Sequence, residues 1–182
     1  MRNFLANFLI FFGIILLIVS SYSLWQRYNP NRLAFEVADD SISSVSLVME
    51  GSEPANLLIQ DLDINLIVFP ALLDKNRWDT TTKGVSYLTS SVRPGNIGNS
   101  IFYGHNYKNI LGNLQEARPG QIIDIKVKDG SWKKYRIEYI QTVNPDQVGL
   151  LKQTEDKRLT LYTCTGFLDS KRLVVTAFFL EE

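Results

Sequence analysis

Cysteine and histidine are almost absent from this chain: Cys164 and His105 are the only ones in 182 residues. A single cysteine excludes a disulfide within the chain, and one of each excludes a zinc site built from thiolates and imidazoles. Charge of one sign is also lacking. Nineteen Lys and Arg balance nineteen Asp and Glu, for a net charge of zero. No basic cluster interleaves with aromatics, so nucleic acid is not an expected partner. Long amphipathic helices, internal repeats and low-complexity blocks are missing as well.

One segment lacks charge altogether. FLANFLIFFGIILLIVSSYSLW, residues 4–25, is long enough to cross a bilayer as a helix. Trp25 and Tyr28 stand where an interfacial aromatic anchor belongs, and Arg2 flanks the other end. A cleaved signal peptide has a shorter apolar region and ends at a small-residue site; neither applies here, which favours an uncleaved anchor. Positive charge does not orient it, because Arg27 and Arg32 oppose Arg2 and the terminal amine. The expected organisation is an anchor over residues 1–25, a polar membrane-proximal stalk over 26–53 with a short helix around Ser41–Met49, and a folded domain over 54–182.

That domain is rich in β-prone runs. LLIQ (57–60), INLIVF (64–69), SIFYGH (100–105), QIIDIKV (121–127), YRIEYIQTV (135–143), RLTLYTC (158–164) and KRLVVTAFF (171–179) are separated by turn signals at Pro94-Gly95, Pro119-Gly120 and Asp129-Gly130. ILGNL (110–114) and NPDQVGLL (144–151) each supply a short helical turn. Many short strands without a long helix predict a mostly antiparallel, closed or nearly closed β-barrel with short helices, preceded by one transmembrane helix.

Three residues at strand ends could carry chemistry. Cys164 follows an alternating run and precedes Thr165-Gly166, where a thiol can reach solvent; a lone cysteine also reads as a small buried hydrophobe. His105 follows Gly104 and reads as a turn histidine or as a proton carrier. Arg172 opens a hydrophobic strand, either as a solvated strand end or as a permanent hydrogen-bond donor to a developing oxyanion. Together they supply a nucleophile, a titratable group and a fixed cation.

The residues around them resemble a known family. TLYTC, residues 160–164, fits the TLxTC strand of the sortases, membrane-anchored cysteine transpeptidases of bacterial surfaces. Arg172 within KRLVV and His105 within RPGNIGNSIFYGHN match that family's arginine and histidine segments, and LLIQDLDINLIV resembles its first strand pair. The resemblance runs from about Pro54 to the C-terminus. Gln60 stands where a proline is usual, Asn106 where an arginine is common, and ILGNL replaces a more aromatic segment. These departures leave the subclass open between class A-like and class D/E-like.

The resemblance implies a sortase-type barrel with His105, Cys164 and Arg172 as its catalytic residues. It implies cleavage of an LPXTG-like signal through a thioester at Cys164, then transfer to an amine of a cell-wall precursor or a pilin subunit. The partners it implies are surface proteins or pilins bearing that signal, and the membrane through the N-terminal helix. The protein would be single-pass in the cell membrane, with the catalytic domain on the extracytoplasmic face. The 144–157 loop is where such a signal is recognised, with Val148, Leu150 and Leu151 as an apolar wall. Thr163 and Thr165 flank the cysteine as possible contributors to the substrate site. Some members bind calcium, but Glu116, Glu155 and Asp156 are too scattered to make such a site, so no metal or cofactor is expected. The alternatives are a cysteine hydrolase that transfers nothing and a non-catalytic anchored barrel that presents a binding surface.

Overall fold

The structure, a computed structural model, describes residues 2–27, 33, 52–74 and 77–181. Helix α1 spans Arg2–Arg27. Its apolar stretch, Phe4–Trp25, has 22 residues, which at about 1.5 Å per residue matches the roughly 30 Å hydrocarbon layer of a bilayer. The Ser23 hydroxyl donates to the Val19 carbonyl one turn back at 2.8 Å, so this polar group is satisfied inside the helix. Tyr28, the stalk apart from Gln26, Arg27, Leu33, Ser52 and Glu53, and the short helix expected near 41–49 lie outside the described residues.

Among the described residues ten strands follow: β1 (Pro54–Ile59), β2 (Ile64–Ala71), β3 (Leu73–Asp74), β4 (Arg77–Trp78), β5 (Val85–Leu88), β6 (Gly98–Tyr103), β7 (Ile122–Val127), β8 (Trp132–Val143), β9 (Lys157–Thr165) and β10 (Lys171–Phe179). Eight close into a barrel in the order β1-β2-β5-β6-β9-β10-β8-β7, while β3 and β4 pair separately. Most neighbours are antiparallel, as the sequence suggests. The exceptions are β2 beside β5 and β6 beside β9, which run parallel. The short helical pieces are 3₁₀ turns, including Gly112–Glu116 and Val148–Leu151.

Local chemistry explains the corners. At Pro94-Gly95 the Asn96 amide donates to the Arg93 carbonyl at 3.2 Å, and Gly95 has φ of 92°. At Pro119-Gly120 the Gln121 amide reaches Arg118 at 3.4 Å with Gly120 at φ 95°. Proline followed by a glycine of positive φ is the type II turn. The Asp129-Gly130 hairpin joins β7 to β8, closed by Val127 N–H to Ser131 O at 3.0 Å.

Alternation sorts the side chains. On β2, Ile64, Leu66 and Val68 enter the barrel while Asn65 and Ile67 face out. The interior joins these to Phe102, Ile123, Ile125, Tyr135, Leu159, Leu161 and Val175 in one cluster. On β9 both faces are buried. Leu159 and Leu161 belong to the interior, whereas Tyr162 and Cys164 join a second, outer cluster with Ile101, Tyr103 and Val174. That outer cluster lies along the site.

Candidate active site

β6 and β9 run parallel with Tyr103 opposite Tyr162. Gly104 N–H continues the ladder to the Tyr162 carbonyl at 3.2 Å. His105 and Cys164 each stand two residues beyond the Tyr103–Tyr162 rung. On the other side of β9, Arg172 of β10 lies directly opposite Cys164. His105 just past the end of β6, Cys164 on β9 and Arg172 on β10 therefore sit together at one rim of the barrel. Their order across the sheet is His105, Cys164, Arg172, and all three are buried.

Each is held from behind. Thr163 is fully buried and its hydroxyl donates to the Gly104 carbonyl at 2.7 Å, which ties the strand of the thiol to the loop of the histidine. That loop closes on itself through Leu111 N–H to His105 O at 3.1 Å and Gly112 N–H to Tyr107 O at 2.8 Å. The His105 ring stacks on Tyr107, centroids 4.9 Å apart and 11° from parallel. Arg172 Nη1 donates to the carbonyls of Asp169 and Lys171, both at 3.0 Å.

The outer cluster forms the floor and walls beside the thiol. Tyr103 and Tyr162 stack with centroids 5.4 Å apart, and Trp78 meets both edge-on at 5.2 and 6.0 Å. Burial raises both tyrosine hydroxyls well above their ordinary pKa. For Tyr162, Tyr103 and Cys164 add to the rise while Arg172 opposes it. Both remain protonated at neutral pH, and the Tyr103 hydroxyl donates to the Asp79 carbonyl at 2.5 Å. Leu151 lies within the cluster, and Val148 and Leu150 pack against it. Thr165 is half-buried and lies opposite Lys171.

The sequence suggested that Cys164 ends its strand and reaches solvent. In the structure β9 continues through Thr165, and Cys164 has 0% exposure. The thiol belongs to a buried cluster whose members local pattern does not reveal. Leu33, far upstream, is itself 0% exposed and belongs to the same cluster as Trp78, Leu151 and Cys164. His105 also falls beyond the strand expected to contain it, since β6 ends at Tyr103.

Asn99 is the residue that sequence reading passed over. It is fully buried. Its side-chain amide donates to the Leu150 and Lys152 carbonyls at 3.1 and 3.2 Å, and its oxygen accepts from Thr160 at 2.8 Å. Its backbone N–H donates to Gln153 Oε1 at 2.9 Å. The loop before β9 is thereby fixed to β6 and β9. The only signal was the Gly-Asn pair at 98–99, which reads as a turn. Of the acidic residues considered for calcium, Asp156 is engaged by Arg158, while Glu116 and Glu155 are exposed. No cluster of three His, Cys, Asp or Glu fit to hold a metal occurs among the described residues.

A thiol and a guanidinium residue opposite each other on paired strands, with an imidazole residue just past the end of the next strand, are the equipment of a cysteine acyl-transfer enzyme. Residues 57–179 match the family model described as Sortase domain. The chain belongs to the sortase family, and its general activity is that of a sortase-type transpeptidase. Solved structures agree in fold. A sortase A lid mutant from Corynebacterium diphtheriae is 24% identical with TM-score 0.61, covering 91% of this chain and 95% of that one. Sortase C-1 from Actinomyces oris is 24% identical with TM-score 0.61, covering 74% and 77%. Sortase C from Clostridium perfringens with the C-terminal cell wall sorting motif is 19% identical with TM-score 0.58, covering 75% of each chain. No curated protein sequence matches the chain. The apolar α1 fits the membrane association of the family.

Proposed function

We propose that the chain cleaves an LPXTG-like sorting signal through a thioester at Cys164 and passes the acyl group to an amine. The observation that carries this reading is the register that sets Arg172 opposite Cys164, with His105 two residues past the end of the adjoining strand. The Cys164 thiolate attacks the carbonyl carbon of the signal's threonine. Arg172 donates N–H groups to the oxygen as it gains negative charge. The carbon–nitrogen bond breaks as His105 protonates the departing amine, leaving a thioester. An incoming amine then attacks the thioester, His105 accepts its proton, and Cys164 leaves as thiolate.

The acceptor is an amine of a cell-wall precursor or a lysine of a pilin subunit, and the donors are surface proteins or pilins bearing the signal. Val148 and Leu150 form the apolar wall for the signal's leucine and proline, supported by their packing beside the Cys164 cluster. Thr165 borders the site. Thr163, whose hydroxyl is committed to Gly104, contributes by holding the strand. Residues 1–25 are a single-pass anchor, 26–53 a stalk, and 54–182 the catalytic domain on the extracytoplasmic face.

The complete burial of Cys164 favours one rival, an inert thiol in a binding module. Full-length protein in detergent, incubated with a Leu-Pro-x-Thr-x peptide library and a primary amine, separates the readings by intact mass. An acyl adduct on Cys164 that is lost in Arg172→Ala and resolved by the amine supports transfer. Resolution at a rate indifferent to the amine indicates a hydrolase. No adduct, together with a thiol inert to alkylation, indicates the binding module.

A further inference from the structure

The turn between β9 and β10, Gly166 to Ser170, is unusual in its backbone. Leu168 and Asp169, neither of them glycine, both adopt positive φ, 51° and 60°. For a bulky residue such as Leu168 this conformation carries strain that persists only where surrounding contacts require it, and such strain concentrates at functional sites. The contacts are visible. With Asp169 so turned, its backbone carbonyl accepts from Arg172 Nη1 at 3.0 Å. Its carboxylate Oδ1 accepts from the side-chain amide of Asn106 at 2.8 Å. Asn106 adjoins His105, and 63 positions separate it from Asp169 in sequence. One residue thus touches the histidine loop through its side chain and the arginine through its main chain, from the turn that follows the cysteine.

We infer that Asp169 is a positioning residue that locks the histidine loop and the arginine in register over Cys164. This deepens the transpeptidase reading and rests on it. The tie has a directional logic. The β6–β9 pairing runs out at Gly104, whose N–H reaches the Tyr162 carbonyl, so the loop carrying His105 is positioned by contacts outside that ladder. Thr163 supplies one from below, at Gly104, and Asp169 supplies one from the far side of the thiol. Losing the second lets the imidazole drift relative to the leaving amine without removing any reacting group, and small misplacements of that kind are costly to rate.

Two substitutions separate this role from folding. Asp169→Gly removes the carboxylate but keeps the carbonyl for Arg172, and glycine adopts φ of 60° without strain, so the turn should hold at least as well as before. Asp169→Asn keeps an oxygen that can accept from Asn106. Asp169→Gly is expected to lower kcat about tenfold with KM little changed, and Asp169→Asn to restore it. Asn106→Ala should cause a similar loss, and the double variant Asn106→Ala/Asp169→Gly no further loss. His105 is the only histidine, so a single imidazole signal in the NMR spectrum of histidine-labelled full chain in detergent reports its setting directly. That signal should shift or broaden in Asp169→Gly and return in Asp169→Asn. A kcat within about twofold of wild type in Asp169→Gly, with an unmoved imidazole signal, overturns the inference. So does additivity in the double variant. A wild-type chain inert toward every peptide and amine sinks the transpeptidase reading instead. The imidazole signal then decides the tie alone: moved by Gly and restored by Asn upholds it, unmoved overturns it.

Discussion

Replacing Asn99 by alanine tests how the loop beside the thiol is held. The substitution removes three side-chain hydrogen bonds, to Leu150 O, Lys152 O and the Thr160 hydroxyl. At a net contribution of about 1 kcal/mol each the ceiling is about 3 kcal/mol. The three losses are not equal. Thr160 is buried, and its hydroxyl would be stranded away from water. Lys152 is exposed and Leu150 half-buried, so their carbonyls can take water in exchange. The expected loss is therefore about 2–3 kcal/mol, read from urea unfolding of the full chain in detergent. Val148 and Leu150 should loosen with the loop, so KM for a sorting peptide rises more than kcat falls. Asn99→Asp gives a signed check. An aspartate at this buried position has its folded pKa raised above the unfolded value of about 3.9, so the folded state binds more protons and stability falls as pH rises from about 4 toward 7. A loss under about 0.5 kcal/mol in Asn99→Ala, with KM unchanged, would refute the role assigned to this residue.

Three further outcomes are expected. Leu33→Ala should speed alkylation of Cys164 by at least about tenfold, because a Leu-to-Ala change in a packed cluster costs about 2–5 kcal/mol and loosens the cluster they share; an unchanged rate means that Leu33 does not limit access. Arg172→Lys should lower acyl transfer about 10²- to 10³-fold despite keeping the charge, since an ammonium cannot both hold the Asp169 and Lys171 carbonyls and reach an oxyanion; near-normal transfer would rule out that role. Tyr87 and Tyr135 have pKa values pushed up to about 12, chiefly by burial. Their contribution is present below the unfolded value of about 10 and is lost as pH rises from there through about 12, roughly 2–3 kcal/mol each. Ultraviolet absorbance and circular dichroism should show their ionisation coinciding with unfolding, and ionisation near pH 10 in an intact fold would contradict this.

Much of the molecule could be read along the chain. The α1 span, the strand runs and the Pro-Gly and Asp-Gly corners follow from composition and period within a few residues. What misled was Cys164. A strand end before Thr-Gly suggests an accessible thiol, yet Cys164 is buried in the outer cluster, to which Leu33 also belongs. No local pattern near residue 164 could announce a side chain from residue 33. Asn99 was missed for a related reason, since Gly-Asn is an ordinary turn pair and its partners begin 51 positions later.

The sequence alone determined which residues are capable of chemistry and which runs become strands, because nucleophilicity, charge and period-two burial belong to individual residues and their near neighbours. It also carried the motifs that resemble the sortase family. Tertiary structure decided adjacency: that β6 lies parallel to β9, that Arg172 falls opposite Cys164, and that Asp169 joins the histidine loop to the arginine. Those relations depend on barrel closure and register, which depend on how distant segments share one buried core. The thiol's identity is written at position 164. Its cover and its supports are supplied from across the barrel.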